Sequence, residues 1–300
     1  MPGGSELPPL EDDTHGVRVQ RNKALTSDGE VFAQVFREGF FTTGRTSLAK
    51  WLASLDDLPP GLSDSKIRVV RAMSVNEGGL EAVNSYDGCF LSVGIFQWTA
   101  GANDEAGELS VLLSRFKSAS PEAYEDCFGR YKLDTIVKTG GLTGRLVLDD
   151  RQLDTSAAKM LLRRAEWTYR FWRAGHHPDF RDAQLALAVS RIERFIKLAV
   201  AGHQIGEWLT SQYGIALILD EHVNRPGHVP GTLEGALMKL FGNQVTAQNP
   251  GIWTEAEELR LIDAYIATRK TTSMTNSTAR ARLIVECTHR GQLSDDRGSF

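Results

Sequence analysis

Apolar positions along the chain recur mainly at three- and four-residue intervals, the repeat that places side chains on one face of a helix. Ile67, Val70 and Met73 fall on such a face behind Ser63, a residue type that accepts hydrogen bonds from the free amides of a first helical turn. The same spacing predicts helices over residues 46–55, 105–118, 121–131, 155–174, 182–202, 207–222, 233–241 and 277–289. In the second of these Leu109, Leu112, Leu113 and Phe116 share a face, and the third starts at a proline. Thr254 with Glu257 forms the capping box of a helix running to Arg269. Trp167, Phe171, Ile192, Phe195 and Trp208 are the expected core of these segments.

Other stretches escape the helical repeat. Residues 1–16 mix Pro, Gly and acidic residues without periodicity and predict a flexible arm. Residues 17–41 read two ways, with VRVQ alternating like a strand and EVFAQVFREGFF suiting a helix equally well. Pro59, Pro60 and Gly61 break the chain before the Ser63 helix, and residues 132–150, with Gly140, Gly141 and Gly144, predict loops or a small hairpin. The expected fold class is mainly α, an α+β arrangement in which one helical, bundle-like domain over residues 17–290 carries a small irregular or β-hairpin insert at residues 78–101. Two lobes with a cleft between them are one form of that domain, and residues 291–300 are expected to be a loose tail.

Composition narrows the function classes. With 300 residues and 41% hydrophobic content the chain has enough material for a sizeable core. The net charge of -4, with Lys and Arg dispersed, gives no basis for a nucleic-acid partner. Cys89, Cys127 and Cys287 are too far apart for a disulfide framework or a paired-cysteine zinc site. No basic start leads into an apolar run, and no stretch reaches membrane-spanning length. The expectation is therefore synthesis in the cytoplasm without a signal peptide and without membrane insertion.

The chemistry concentrates in residues 75–101, VNEGGLEAVNSYDGCFLSVGIFQWTAG. Glu77 follows Met73 by four, which predicts a carboxyl at the end of the Ser63 helix, turned to its apolar side, with Gly78 and Gly79 ending the helix. Partial desolvation there raises a carboxyl pKa and keeps it protonated, as a general acid must be. Asp87, between Tyr86 and Gly88 in a loop, is expected to be solvated and ionised. Two carboxyls in such different settings suit glycosidic hydrolysis, where one protonates the leaving oxygen and the other activates water. The plainer alternative is that Glu77 pairs with an arginine and Asp87 makes a turn with Gly88.

Residues 77–97 resemble goose-type lysozymes and soluble lytic transglycosylases: a helix-end Glu is followed some twenty residues later by a Gly-Leu-Met-Gln-like run, here Gly94-Ile95-Phe96-Gln97. Asn224-Arg225-Pro226-Gly227-His228-Val229 is similar to the Asn-Ala-Gly-Pro-Gly pattern of that group, with one residue fewer. DGCFLSVGIFQWTAG, residues 87–101, resembles the chitosanase block of the same lysozyme-like superfamily, as does Ala216-Leu217-Ile218-Leu219-Asp220. The interval from Glu77 to Asp87 is shorter than in chitosanases, and Gln97 follows the transglycosylase form. These likenesses leave residues 1–64 and those after about 250 unaccounted for.

The resemblance implies a lysozyme-like glycoside hydrolase acting on peptidoglycan, an N-acetylmuramidase with Glu77 as acid, Asp87 as base and Ser92 helping to hold the attacking water. Tyr86, Gln97, Trp98 and Asn224 become substrate-binding candidates, with Trp98 either stacking on a sugar or closing the core. Lytic transglycosylase, chitosanase and a non-catalytic wall-binding module remain alternatives. The implied partners are peptidoglycan strands together with an immunity protein or a phage or type VI secretion apparatus that delivers the chain to the wall. No cofactor is expected. Calcium at Asp149, Asp150 and Asp154, or at Asp220, Glu221 and His222, is the one metal alternative, since His176 and His177 next to Asp179 make a poor ligand set.

Overall fold

The computed structural model describes residues 16–56, 59 and 62–300. All but Gly16 of the expected arm at residues 1–16, and Pro60 and Gly61 of the expected break, lie outside the described residues. The described residues begin with four strands, β1 Arg18–Gln20, β2 Lys23–Leu25, β3 Val31–Phe36 and β4 Gly39–Thr42, then helices α1 Leu48–Leu52 and α2 Asp64–Ser74. Three short strands follow, β5 Val83–Asn84, β6 Ser92–Val93 and β7 Trp98–Thr99, then α3 Leu109–Ala119 and α4 Pro121–Cys127. Strands β8 Leu133–Val137, β9 Gly144–Leu148 and β10 Arg151–Gln152 precede α5 Ser156–Lys159, α6 Ala165–Ala174 and α7 Pro178–Phe195. The remainder is a small hairpin, β11 Ala199–Val200 with β12 His203–Gln204, and helices α8 Ile205–Trp208, α9 Gln212–Asn224, α10 Val229–Phe241, α11 Glu255–Arg269 and α12 Ser277–His289. The fold is mainly α with small sheets, an α+β arrangement. No helix among the described residues is long and apolar enough to cross a membrane.

Contacts divide the chain into two compact units, one of residues 1–56 and 77–187, the other of residues 57–76 and 188–300. In the first, β1 to β7 form one antiparallel sheet in chain order. Residues 17–41 thus resolve as strands, and residues 78–101 are an extension of this sheet rather than a separate insert. Alternation explains the ambiguity of the sequence: Phe32 and Ala33 are both buried, so β3 lacks a clean inside-outside pattern. Its Phe32 ring packs edge-on to Tyr169 of α6 at 5.2 Å. Behind it, Phe116, Phe128, Phe171 and Phe180 interlock, with Phe128 and Phe171 centroids 4.7 Å apart.

The β9–β10 connection is Asp149-Asp150, both at positive φ (51° and 62°), as the two central residues of a tight hairpin turn require. Asp149 pairs with Lys132 at 2.9 Å. The pair suggested as calcium ligands therefore makes a turn, and among the described residues no group of three His, Cys, Asp or Glu side chains is gathered as a metal would need. Lys159, at the end of α5, is buried and donates its ammonium to three carbonyls of one loop, Gly101, Asn103 and Glu105, at 2.8, 2.9 and 2.5 Å. The expected helix over residues 155–174 is broken behind this lysine by a turn of 3-10 helix, Met160–Arg163.

The second unit is built around α9, whose residues from Gln212 to Glu221 are all buried. A helix apolar on every side belongs in an interior, and the two acids at its end must then be neutralised there. Asp220 accepts from Arg269 at 2.5 Å, Arg280 at 2.6 Å and Asn76 at 3.2 Å. Glu221 takes Arg225 at 2.6 Å, the Thr232 hydroxyl at 2.7 Å and the Tyr265 hydroxyl. Neither acid is left for calcium. The predicted capping box of Thr254 and Glu257 starts α11, and α12 spans the predicted residues. The C-terminal tail is docked rather than loose: Arg297 pairs with Glu258, Ser294 N–H donates to Gln212 at 3.1 Å, and Phe300 N–H reaches the Thr210 carbonyl at 2.9 Å.

His222, on the same helix, lies against Phe195 with ring centroids 5.4 Å apart, and its Nδ1 is buried without a partner among the described residues. Burial, aided by Arg191 and Arg194, pulls its pKa from 6.5 down to about 4. Between those values the unfolded chain binds a proton that the folded chain refuses, so stability is full above pH 6.5 and declines as pH falls toward 4. The loss is at most on the order of 3 kcal/mol. Thermal unfolding between pH 7 and pH 4 should show this slope in the wild type and a flatter one in His222→Phe; equal slopes would disprove the assignment.

Candidate functional site

Residues 77–101 form a tight assembly within the first unit. Helix α2 stops at Ser74 with Val75 as its cap, so Glu77 lies beyond the helix, half-buried in a bend. The expected one-turn relation to Met73 is absent, and Gly78 and Gly79 belong to a loop laid along the exit of β4. Gly79 N–H donates to Thr43 O at 2.6 Å and Leu80 N–H to Thr46 O at 2.9 Å. The loop is anchored by Glu81, a fully buried carboxylate. It accepts from the backbone amides of Arg45 and Thr46 at 3.1 and 3.0 Å and from the Arg181 guanidinium at 2.9 Å. Burial lowers the Arg181 pKa while Glu81 opposes that shift.

Gln184, on the part of α7 in the first unit, joins this loop to the Gly94–Gln97 turn. Its amide donates to Leu80 O at 3.0 Å and accepts from Ile95 N–H at 3.1 Å. Gly94 has φ +76°, and a Cβ there would lie 2.2 Å from Gln184 Oε1, so only glycine fits. Gln97, at φ +49°, folds its side chain back so that Nε2 donates to Gly94 O at 2.9 Å. A Cβ on Gly78 would stand 3.4 Å from that same Nε2. The residue after Glu77 and the Gln97 amide are thus brought together.

One sheet face carries the rest. Phe41 pairs with Asn84, Asn84 with Ser92, and Ser92 with Thr99, and residues directly opposite one another share a face. Asn84 Nδ2 donates to Asp87 Oδ2 at 2.8 Å, and Cys89 N–H donates to Oδ1 at 2.9 Å. Asp87 is therefore a turn-forming acceptor, each oxygen bonded once, with lone pairs left for water. The Asp87 carbonyl is held by Arg163 at 2.6 Å, whose guanidinium also reaches the Glu38 carbonyl and carboxylate at 3.2 and 3.1 Å. Burial and the nearby Asp87 raise the Cys89 thiol pKa, which keeps it from acting as a thiolate nucleophile.

The other sequence candidates divide. Ser92 sits beside Asn84 but is only 3% exposed. Tyr86 is on the surface, stacked on Phe36. Trp98 is wholly buried, tilted against Phe96 at 5.6 Å, with an indole N–H that meets no acceptor among the described residues. Its ring faces are closed to any sugar, so it belongs to the core and not to a stacking site. Asn224, in the second unit, ends α9 and donates its amide to Asp220 O one turn back at 2.9 Å. His176 Nδ1 lies 3.0 Å from Trp172 O and His177 Nδ1 accepts from Asp179 N–H, so each histidine gives one ring nitrogen to the α6–α7 connection. A groove of about 520 Å3 lined by Ser114, Arg115, Asp179 and Asp182 shares no residue with this assembly.

Asn84, Glu81, Gln184 and Arg163 are the residues that the sequence did not single out. Asn84, three residues before Asp87, was the one with a local signal, since Asn–Asp pairs at that spacing close turns. The Glu81–Arg181 pair yields a direct prediction. Glu81→Gln leaves a buried guanidinium uncompensated and should cost about 3–5 kcal/mol of folding stability, read from denaturant unfolding. Glu81→Met with Arg181→Met should recover part of that loss, and a neutral Glu81→Gln would contradict the anchoring role.

No protein-family model matches the chain, and no curated protein matches it either.

Proposed function

We infer that the chain is a glycoside hydrolase that cuts the glycan of peptidoglycan as an N-acetylmuramidase. The observation that carries this reading is the convergence of the Glu77 loop and the Gln97 turn on a sheet whose Asn84 and Ser92 share a face, with Asp87 held by Asn84 in the loop after β5. Glu77, half-buried, donates a proton to the leaving glycosidic oxygen. Asp87, fixed by Asn84 and Cys89, accepts a proton from the attacking water, and the Ser92 hydroxyl orients that water. Gln97 lines the acid's side, and Tyr86 meets the sugar beyond Asp87. Neither step calls on a cofactor. The substrate lies in the cell wall, and the delivery that goes with this reading is a phage lysis system or a type VI secretion apparatus, with an immunity protein as partner in the second case.

A second reading has one observation in its favour. Both Asp87 oxygens are already engaged in a turn, as a structural aspartate's would be, which suits a lytic transglycosylase that needs Glu77 alone because a substrate hydroxyl attacks.

Muropeptides released from purified peptidoglycan sacs, identified by mass spectrometry, separate the two. Reducing muramic ends are expected, and anhydro ends would favour the transglycosylase. Glu77→Gln should lower release by about 10²- to 10⁴-fold, the usual worth of a positioned acid. Asp87→Asn should do the same under hydrolysis and leave activity intact under transglycosylation. If the wild-type chain releases nothing from sacs, both readings fall and a wall-binding module remains; release from chitosan alone would point to a chitosanase.

A further inference from the structure

We propose that the strands ahead of the site carry a glycan-binding platform, in which Phe36, Phe41 and Tyr86 receive a pyranose ring of the same polysaccharide some residues away from the cleaved bond. The proposal rests on the glycan-cleaving reading and extends it to a part of the chain that the lysozyme-like resemblance does not cover.

Three aromatic rings from three elements interlock at the surface. Phe36, at the end of β3, stacks on Tyr86, in the loop after β5, with centroids 4.6 Å apart and planes 22° apart. Phe41, on β4, stands edge-on to both, at 6.3 and 5.9 Å. Phe36 is 42% exposed and Tyr86 36%. Single exposed apolar residues need no explanation, but a fixed cluster does. Arg163 fixes this one, because its guanidinium ties the β3–β4 turn at Glu38 to the Asp87 carbonyl directly after Tyr86. A sugar meeting rings already held in place loses less entropy on binding.

The platform is continuous with the site. Gln34, Phe41, Asn84 and Ser92 lie opposite one another in register across β3 to β6 and therefore on one face. Ser92 is buried, so the open part of that row runs from Gln34 through Phe41 to Asn84, about 10 Å at roughly 4.8 Å per strand and wider than a single ring. Beside Phe41, a cavity of about 220 Å3 is lined by Gln34, Thr43 and Arg45, so hydrogen-bonding groups flank the rings. A pyranose has an apolar C–H face and a hydroxyl rim, and this surface offers a counterpart to each. Two of the nearby arginines are paired, Arg45 with Glu30 at 3.0 Å and Arg37 with Glu38 at 3.5 Å, while Lys23, opposite Gln34 in register, adds a hydrogen-bond donor to the rim of the platform. Self-association is disfavoured by size: aromatic side chains of about 150–250 Å² each, less than half exposed here, fall well short of the roughly 800 Å² per partner of a stable interface.

The test uses the full chain carrying Glu77→Gln to prevent turnover, with a hexamer and a dimer of N-acetylglucosamine and with peptidoglycan sacs as probes. Phe36→Leu, which keeps an apolar side chain of similar bulk, should weaken hexamer and sac binding about tenfold, while Phe36→Trp retains it and dimer binding stays unchanged. Unaltered hexamer and sac binding in Phe36→Leu, or no binding by the Glu77→Gln chain, overturns the platform. So does concentration-dependent dimerisation that Phe36→Leu abolishes. If the wild-type chain cleaves nothing while sac binding still depends on Phe36, the cleavage reading fails and the platform stands. If it cleaves while Phe36→Leu cleaves and binds normally, the platform fails alone.

Discussion

The first unit is organised by a carboxylate that water cannot reach. A buried Glu81 is tolerable only because its oxygens meet two backbone amides and a guanidinium. Those partners come from the segment after β4 and from α7, so compensating one charge fixes the positions of three chain segments. Strands of two residues, such as β5, β6 and β7, cannot hold a hairpin by ladder bonds alone. Glu81 on one side and the Gln184 amide on the other supply what the ladders lack. The Glu77 loop and the Gln97 turn owe their proximity to these two side chains, both of which are buried.

The second unit solves the same electrostatic problem on a larger scale. Asp220 and Glu221 sit on consecutive residues of an interior helix and thus point in different directions, each into its own set of donors. Such networks often contribute little net stability, since desolvation offsets attraction, but they penalise any packing that separates the partners. Arg269 and Arg280 come from α11 and α12, so the acid end of α9 specifies where both later helices dock. The same acids looked in the sequence like ligands or substrate contacts, because a run of carboxylates does not disclose which arginines will meet it.

What the sequence disclosed was local chemistry. The Ser63 cap, the Thr254–Glu257 box and the bounds of α12 depend on residues within one or two turns, and the structure repeats them. The core residues were equally legible, because Trp167, Phe171, Ile192, Phe195 and Trp208 are buried as helical spacing requires. Glu81 was silent, since its partners stand 36, 35 and 100 residues away. Periodicity carried Glu77 one turn too far: the face continued on paper while the helix stopped at Ser74. Strands β3 and β4 were ambiguous because the sheet has apolar contacts on both faces, and the tail was misjudged because its bonds to Thr210, Gln212 and Glu258 are long-range.

The lysine inside the loop after β7 has a consequence for how that region responds to its surroundings. Three converging carbonyls are what a bound monovalent or divalent ion would find attractive, and Lys159 fills the position with a charge belonging to the chain. An ion held there would contribute stability that grows and fades with its concentration, by mass action. A covalently attached ammonium has no such dependence: its local concentration is set by the fold. The order of residues 101–105 is therefore an intramolecular property, insensitive to dilution and to chelators, in whatever ionic medium the chain finds itself.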